Sequence, residues 1–180
     1  MSVLDLPVTL RLMTEHDFPM LHDWLNRAHV VEWWGGERPT LETVREKYLP
    51  RVRGCDAVTP YIALLGDDPF GFAQSYVAKG SGEGWWEDEA DPGVRGIDQT
   101  IGDQRILGRG LGTRLACALT ARLFDDPTVT KIQADPATTN ARAIRCYEKA
   151  GFERVKVVAT PDGPAVYMLM TRCAPSRDLP

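Results

Sequence analysis

A glycine-rich turn in the middle of the chain has the composition of an anion-binding loop. Leucines four residues apart follow it directly, and this spacing predicts one apolar stripe of a helix. A helix that begins at such a turn presents unpaired backbone N–H groups at the positive end of its dipole, where phosphate binds readily. Glycine suits the turn because it has no Cβ to block an anion and reaches positive φ at little cost. The residues that we expect to hold a phosphorylated cofactor are Gly108, Arg109, Gly110, Gly112 and Thr113.

Two familiar phosphate motifs do not fit this turn. A P-loop requires a lysine followed by Ser or Thr after its last glycine, but Thr113 and Arg114 follow Gly112. A dinucleotide fingerprint requires a third glycine where this chain has Thr113, and an acid about 20 residues on, where it has Thr128. The glycine spacing by itself is therefore also compatible with a plain turn that opens a helix.

Two aspartates lie in or next to predicted strands, at positions where a carboxylate would need a binding partner. Asp98 lies inside an otherwise apolar predicted strand, and an unpaired carboxylate is costly to bury. It either pairs with Arg95 or another basic residue, or faces water or a cationic substrate. In the second case Asp98 would bind a reacting ammonium group and help to remove its proton, directly or through water. Asp135 follows the next predicted strand and is either a second ammonium ligand or a cap before Pro136.

Acidic and aromatic residues are frequent around Asp98. Between Glu83 and Asp103 the chain has seven acidic residues and one basic residue. Such a field attracts polycations, although a charge run is also typical of a solvated loop. Two tryptophan pairs in predicted loops can offer flat walls to a sugar ring and cation–π contacts to an ammonium, or can pin the loops to the core. The side chains that we expect to contact a substrate, besides the two aspartates, are Trp34, Tyr48, Gln74 and Glu83.

The elements that position these residues alternate between strands and helices. Apolar stripes predict helices after Thr14, which has Asp17 as its capping-box partner, and from Thr40 to about Leu49. Further helices are predicted from the glycine turn to Phe124 and over 140–150, with Gly151 as a C-terminal stop. The predicted strands are 8–13, 61–65, 70–77, 94–99, 130–134, 152–158 and 166–171. This order, with hairpins at both ends, predicts an α/β fold with a mixed central sheet and helices on both faces.

The composition is that of one globular domain. At 180 residues, 43% hydrophobic and 26% charged, the chain fits a single domain over 1–180 with short loose tails at about 1–7 and 173–180. A net charge of −4 argues against nucleic-acid partners, and no apolar run is long enough to span a membrane. Residues 1–9 lack the pattern of a signal peptide, so we expect a cytoplasmic protein. The four cysteines and three histidines lack zinc-ligand spacing, so we expect free thiols and no metal.

A second motif gives the glycine turn its context. The segment Asn140–Phe152 reads N-x-x-A-x-x-x-Y-E-K-x-G-F and begins about 30 residues after the turn. In this order the two motifs resemble the GNAT acetyltransferase superfamily, and the second motif is the more specific. One position departs from that family, which usually has Gln or Arg where this chain has Leu107; Arg105 fits only if the frame shifts by two.

Further segments resemble the aminoglycoside 6′-N-acetyltransferases within that superfamily. They are 8–17, 31–36, 58–63, 84–87, 91–99 and 160–168, and the similarity covers about residues 8–172. The resemblance implies the fold of that superfamily, acetyl-CoA as the donor and an aminoglycoside, a small polycation, as the acceptor. The position of Glu83 is typically Asp in the family. We expect direct transfer in a ternary complex by a monomer or a weak homodimer.

Roles for three further residues follow from this reading. Ile101 and Asn140 would contact the pantetheine arm of acetyl-CoA. Tyr147 would be the general acid, because a phenol with a pKa near ~10 can protonate a departing thiolate. The alternative for Tyr147 is a core tyrosine packed beside Ile144. For the whole chain, acetylation of another small amine (a polyamine or a siderophore precursor) and non-catalytic binding of an acyl-CoA stay open as alternatives.

Overall fold

The structure, a computed structural model, describes Leu4 and residues 6–172. Over these residues the strands form one seven-stranded sheet in the order β1-β2-β3-β4-β5-β7-β6. Neighbouring strands are antiparallel except β4 and β5, which run parallel. The strands are β1 Val8–Leu12, β2 Val58–Leu65, β3 Asp68–Val77, β4 Val94–Ile101, β5 Lys131–Ala134, β6 Glu153–Thr160 and β7 Gly163–Thr171. The predicted α/β fold with a mixed sheet is confirmed.

Helices cover both faces of the sheet, as predicted. They are α1 Phe18–Leu25, α2 Ala28–Val31, α3 Leu41–Val52, α4 Leu111–Phe124 and α5 Ala141–Ala150, with 3-10 turns at Glu15–Asp17 and Gln104–Ile106. The sequence did not predict α2, because four residues are too few to show a helical period. Helix α3 continues past the predicted end at Leu49, through Pro50.

Two hydrophobic cores lie on opposite faces of the sheet. Helices α4 and α5 pack on one face, where Ile97 and Tyr147 are buried. Helices α1 and α3 pack on the other, against Phe72. Because successive side chains of a strand point to opposite faces, Asp98 lies on the α1–α3 face while Gln99 lies on the α4–α5 face. Strand β4 therefore contributes polar side chains to both layers.

The sheet opens between β4 and β5. Their register pairs Val94–Gly96 with Lys131–Gln133, and no further pairing joins these strands in the part of the chain that the structure describes. Gly102 donates its N–H to the carbonyl of Phe70, at 2.8 Å. Because hydrogen-bonded positions alternate along an antiparallel pair, the backbone of Ile101 points away from β3 and into the opening. The end of β4 thus presents main-chain groups to the opening beside the glycine turn.

Helix caps are present at the positions that the sequence predicted. Thr14 and Asp17 form a reciprocal capping box at the first 3-10 turn. The Oγ1 of Thr40 accepts the N–H of Thr43, at 3.1 Å, and begins α3. Gly151 ends α5 with a φ of 103°, which is in the left-handed region that favours glycine.

Leu4 and Leu6, the first two described residues, are attached to the body of the molecule. Leu4 and Leu6 are partly buried against the α4–α5 core. Both of their carbonyls accept hydrogen bonds from the guanidinium of Arg114, at 2.5 Å for Leu4. The expectation of a loose tail over 1–7 does not hold for these two residues, because α4 offers them donors. The other predicted tail, 173–180, lies outside the described residues.

Candidate active site

The glycine turn is exposed and ends in unpaired amides. Gly108 and Gly110 have φ values of 75° and 79°, and a Cβ on either glycine would meet nothing within 4 Å. The first helical hydrogen bond of α4 runs from the N–H of Arg114 to the carbonyl of Gly110, at 3.1 Å. The preceding amides, including those of Gly112 and Thr113, therefore have no acceptor within the helix. They lie at the positive end of its dipole, where an anionic group binds.

Thr113 turns its side chain away from the turn. Its Oγ1 donates to the carbonyl of Cys146 on α5, at 3.5 Å, and a Cβ at Gly112 would lie 3.2 Å from the Sγ of Cys146. The Nε2 of Gln99 donates to the carbonyl of Gly112, at 2.9 Å. These contacts fix the start of α4 against α5 and β4. Thr113 is therefore placed to serve a phosphate through its backbone N–H rather than its hydroxyl.

Leu107 and Arg105 have partners of their own. Leu107 is partly buried and packs against the α4–α5 core. The exposed guanidinium of Arg105 pairs with Asp103, and the shortest contact is 2.7 Å. Arg105 is thus engaged before the turn begins, so the shifted frame has no support. Arg109 is exposed within the turn and brings the positive charge there.

Asp98 is held by an amide rather than by a cation. Its Oδ2 accepts a hydrogen bond from the Nε2 of Gln74 on β3, at 2.8 Å, and the Oε1 of Gln74 accepts from the Nη1 of Arg51, at 3.0 Å. Arg95, the alternative partner, donates to main-chain carbonyls instead. Burial raises the pKa of Asp98, although the bond from Gln74 and the charges of Arg51 and Lys47 oppose this. The carboxylate is therefore more basic than an ordinary aspartate, which suits a group that accepts a proton.

Three carboxylates at this end of the sheet influence one another. Asp135 follows β5, and Asp162 lies in the turn between β6 and β7. Burial raises the pKa of Asp135 to about 7, and the charges of Asp98 and Asp162 contribute. Within the described residues no group donates a hydrogen bond to the Asp135 carboxylate, so nothing there marks it as a cap. Like charges held together in this way favour the binding of a cation beside them.

A tyrosine that the sequence did not single out crosses the sheet next to these acids. The Oη of Tyr76 accepts a hydrogen bond from the Nε1 of Trp86, at 3.1 Å. The ring fills the space over Gly96, where a Cβ would lie 2.1 Å from the Cζ of Tyr76. Burial and the charges of Asp98 and Asp135 raise the pKa of Tyr76 well above its usual value. Gly96 is therefore the small residue that lets this phenol lie across the strand.

Tyr147 lies on α5, in the core beneath the opening. It is 6% exposed, and its ring packs edge to face with Phe152, with the centroids 5.3 Å apart. Burial raises the pKa of Tyr147 well above its usual value, and the charges of Asp98 and Asp135 add to this. The phenol therefore stays protonated at neutral pH. Ile144 is buried in the same core, so the structure contains the packing role as well as the proton that an acid needs.

Trp34 and Tyr48, both predicted to contact a substrate, pack on the same phenylalanine but differ in exposure. Tyr48 is 1% exposed, and its ring packs edge to face with Phe72 at 5.6 Å, so the ring is part of the core and its contact with a substrate stays a prediction. Trp34 packs on Phe72 in the same way, at 5.6 Å, but is only partly buried. The hydroxyl of Tyr48 is buried without a hydrogen-bond partner among the described residues, and burial raises the pKa of Tyr48 to about 12.

The acidic loop is anchored by its tryptophans. Trp86 packs on Tyr167 with the ring centroids 5.3 Å apart and has a φ of 48°, and Trp85 lies 6.3 Å from Trp86. This pair therefore pins the loop, one of the two roles left open for it. Glu83 is exposed on the same loop. A cavity of about 350 Å³ lies between the loop and the β6–β7 hairpin.

The two predicted pantetheine contacts lie at the rims of the opening. The carbonyl of Ile101 accepts from the Nε2 of His29 on α2, at 2.9 Å. Asn140 caps α5, because its Oδ1 accepts the N–H of Ala143, at 3.0 Å. The cap uses the amide oxygen of Asn140, so a contact with a ligand falls to its NH₂ group.

Among the described residues, no group of three or more His, Cys, Asp or Glu side chains has the geometry to hold a metal ion. No described helix is long and apolar enough to cross a membrane. Cys55, Cys117 and Cys146 are free thiols, and Cys173 lies outside the described residues.

One known domain family matches a stretch of the chain that includes both the glycine turn and two of the three aspartates. The family model of the acetyltransferase (GNAT) domain matches residues 13–160, which contain the glycine turn, Asp98, Asp135 and Tyr147. The chain belongs to the GNAT acetyltransferases. This GNAT chain is 67% identical over 169 residues to the aminoglycoside N(6′)-acetyltransferase type 1 of Klebsiella pneumoniae, covering 93% of this chain and 84% of that protein. The resemblance to both groups is therefore confirmed.

Solved structures agree with this assignment. The aminoglycoside acetyltransferase AAC(6′)-Ib in complex with coenzyme A and kanamycin is 66% identical, with a TM-score of 0.88 over 92% of this chain and 95% of that one. The same enzyme with ribostamycin and coenzyme A is 67% identical, with a TM-score of 0.89 over 92% of this chain and 94% of that one. The predicted GNAT fold is thus confirmed.

Sequence reasoning missed three residues around the acids of this GNAT site. Asp162 lies in a Pro-Asp-Gly segment between two predicted strands, Arg51 lies just after the end of a predicted helix, and Tyr76 lies in a predicted strand. A usable signal existed for Tyr76, because glycine inside a strand, here Gly96, often marks the close approach of another group. The other two become visible only when α3 and the β6–β7 turn are placed against β4.

Proposed function

We propose that this chain acetylates the 6′-amino group of aminoglycoside antibiotics with acetyl-CoA as the donor, and thereby confers resistance. The observation that carries the proposal is the group of Asp98, Asp135 and Asp162 near the protonated phenol of Tyr147, at the end of a strand that opens beside an anion-binding turn. A polycationic amine and an anionic donor can meet there. The 67% identity to an aminoglycoside N(6′)-acetyltransferase supports the same reaction.

Each reacting side chain takes part in one step of the direct transfer of the acetyl group. The 6′-ammonium loses a proton to Asp98, directly or through water, and the amine nitrogen attacks the thioester carbonyl carbon. The C–N bond forms and the C–S bond breaks, and Tyr147 donates its phenolic proton to the departing thiolate. The nitrogen then gives its second proton to solvent, which reprotonates Tyr147, and Asp98 releases the proton it took, so the products are the amide, free CoA thiol and one proton. Much of the catalysis is the positioning of two bound substrates.

We assign the donor to the opening between β4 and β5. Its pyrophosphate would bind the amides of Gly108–Thr113 and the guanidinium of Arg109. Its pantetheine arm would follow the open edge of β4 as far as Ile101, with Asn140 on the other side. Main-chain N–H groups on that edge can stabilise the thioester oxygen as negative charge develops on it. The scheme requires no metal.

The acceptor would lie on the α1–α3 face of β4. Asp98 and Asp135 would bind the reacting ammonium, Glu83 would attract further ammonium groups from the rim, and the exposed part of Trp34 would pack on a sugar ring. Gln74 has one N–H bound to Asp98 and a second available for a hydroxyl. All of these residues come from one chain, which supports activity as a monomer, and a weak homodimer is compatible with it.

The test is release of free CoA thiol from acetyl-CoA by the purified chain, with three acceptors in parallel. We expect turnover with kanamycin and none with an aminoglycoside that has a hydroxyl in place of the 6′-amine. Turnover with spermidine and not with kanamycin would replace the antibiotic by a polyamine. Tight acetyl-CoA binding without turnover on any amine would indicate an acyl-CoA-binding module.

A further inference from the structure

Arg51 places a positive charge beside a site that binds cations, and three contacts hold it there. Its Nη1 donates to the Oε1 of Gln74 at 3.0 Å, and its Nε donates to the Oδ2 of Asp56 at 3.3 Å. Its guanidinium carbon lies 5.1 Å from the centroid of the Tyr48 ring. The side chain is 15% exposed. Arg51 is therefore a fixed donor rather than a mobile surface charge.

The arginine decides which end of the Gln74 amide faces Asp98. A guanidinium only donates hydrogen bonds, so the atom of Gln74 that faces Arg51 must be the amide oxygen. The NH₂ end then faces Asp98, where it donates at 2.8 Å. In the reversed amide, NH₂ would meet the guanidinium and oxygen would meet the carboxylate, and both contacts would be repulsive.

We propose that Arg51 is a positioning residue, which acts through Gln74 to keep Asp98 deprotonated and ready to accept a proton. The inference rests on the proposed function, because Asp98 is the base in that scheme. Other groups around Asp98 act in both directions. Lys47 on α3 favours its charged form, Asp162 opposes it, and the remaining titratable neighbours are Asp135, Tyr48, Tyr76 and Tyr147.

The first test is Arg51→Met, which keeps a long side chain but removes the donor and the charge. We expect the acidic limb of the pH profile of kcat/KM for kanamycin to move to higher pH by about one unit. The KM for acetyl-CoA should not change. Arg53→Met is the matched control, because Arg53 lies two residues further on and pairs with Glu15 at 2.9 Å instead. Its profile should equal that of the wild type.

A double variant separates the relay from a direct effect of charge. Gln74→Leu removes the amide, so adding Arg51→Met to it should cause little further shift if Arg51 acts through Gln74. An additive further shift, or an unchanged profile in Arg51→Met, would overturn the proposal.

Arg51→Ala covers the case in which Arg51→Met does not fold, since it also removes the donor and the charge but adds no bulk beside Tyr48. A shift in the direction seen for Gln74→Leu supports the proposal, and a wild-type profile overturns it. A wild-type chain that releases no CoA with kanamycin would refute the proposed function instead, so the two failures are distinguishable.

Discussion

Tyr147 is the residue whose surroundings limit its chemistry most directly. Because burial and nearby carboxylates raise the pKa of Tyr147, its hydroxyl stays protonated and its first act can only be to give a proton. Tyr147→Phe keeps the ring against Phe152 and removes that proton. We expect kcat to fall by about 10²-fold or more, with acetyl-CoA affinity close to that of the wild type. Steady-state CoA release and calorimetric titration measure the two quantities.

The opposite pattern would assign Tyr147 to packing. A weaker binding of acetyl-CoA with kcat unchanged means that the hydroxyl has no part in the chemical step. The thermal unfolding midpoint of Tyr147→Phe serves as the control, because a large drop would show that the core itself was damaged.

Asp135 makes the stability of the empty enzyme depend on pH. Its pKa is raised from 3.8 to about 7 in the folded state, so the fold favours the neutral acid. The resulting stabilisation is complete below about pH 4 and is lost as the pH rises through 7. We therefore expect Asp135→Asn, which is always neutral, to raise the thermal midpoint at pH 8 and to leave it nearly unchanged at pH 4.

The same variant should bind kanamycin more weakly at pH 8, since the carboxylate that favours an ammonium is gone. Asp126→Asn provides the control, because hydrogen bonds from Thr128 lower the pKa of this exposed acid, in the opposite direction to that of Asp135. Equal gains in thermal midpoint at both pH values would contradict the assignment to Asp135.

The role of a single residue was predictable where its type and its immediate sequence neighbours were enough to indicate that role. A carboxylate within an apolar strand, as at Asp98, needs a partner wherever the strand lies. The identity of that partner was not predictable, because Gln74 and Arg51 come from two other elements. The depth of Tyr48 was not predictable for a related reason: the helix pattern gives the face on which it lies, but only the packing of α3 on Phe72 shows that this face is fully covered.

At the scale of elements, the ring of Tyr76 can lie across β4 only because Gly96 has no side chain. In Gly96→Ala the new Cβ would lie 2.1 Å from the Cζ of Tyr76, so the ring must move and its bond to Trp86 must break. We expect a loss of about 1–3 kcal/mol in the free energy of unfolding, measured by urea denaturation, together with a higher KM for kanamycin. The double variant Gly96→Ala/Tyr76→Ala is the control: an additive loss would mean that the ring is not the obstacle.

The elements themselves were largely predictable, because their signals are local. Thr14, Thr40 and Gly151 mark helix ends by hydrogen bonds to near neighbours, and these ends formed as expected. The strand order was not predictable in detail, since the insertion of β7 between β5 and β6 depends on pairing between distant segments. The short pairing of β4 with β5 was not predictable for the same reason, since these two strands are also distant in the sequence.

For the molecule as a whole, the distribution of charge should affect capture of the substrate. The chain has a net charge of −4, and acids surround the proposed acceptor site. We expect kcat/KM for kanamycin to fall as NaCl is raised from about 20 to 300 mM, because the Debye length shortens from about 20 Å to below 8 Å. Sucrose at matched osmolarity should have no such effect. A flat response to NaCl would mean that the acidic loop is only a solvated surface.

The connection from β4 through α4 to β5 also divides the reacting groups along the chain. Asp98 precedes it, and Asp135, Tyr147 and Asp162 follow it. A chain cut in the connection between α4 and β5 would yield two polypeptides, each with an incomplete set. With the proposed activity, bacterial growth on kanamycin would require both pieces to re-associate, so the protein could serve as a selectable fragment-complementation reporter.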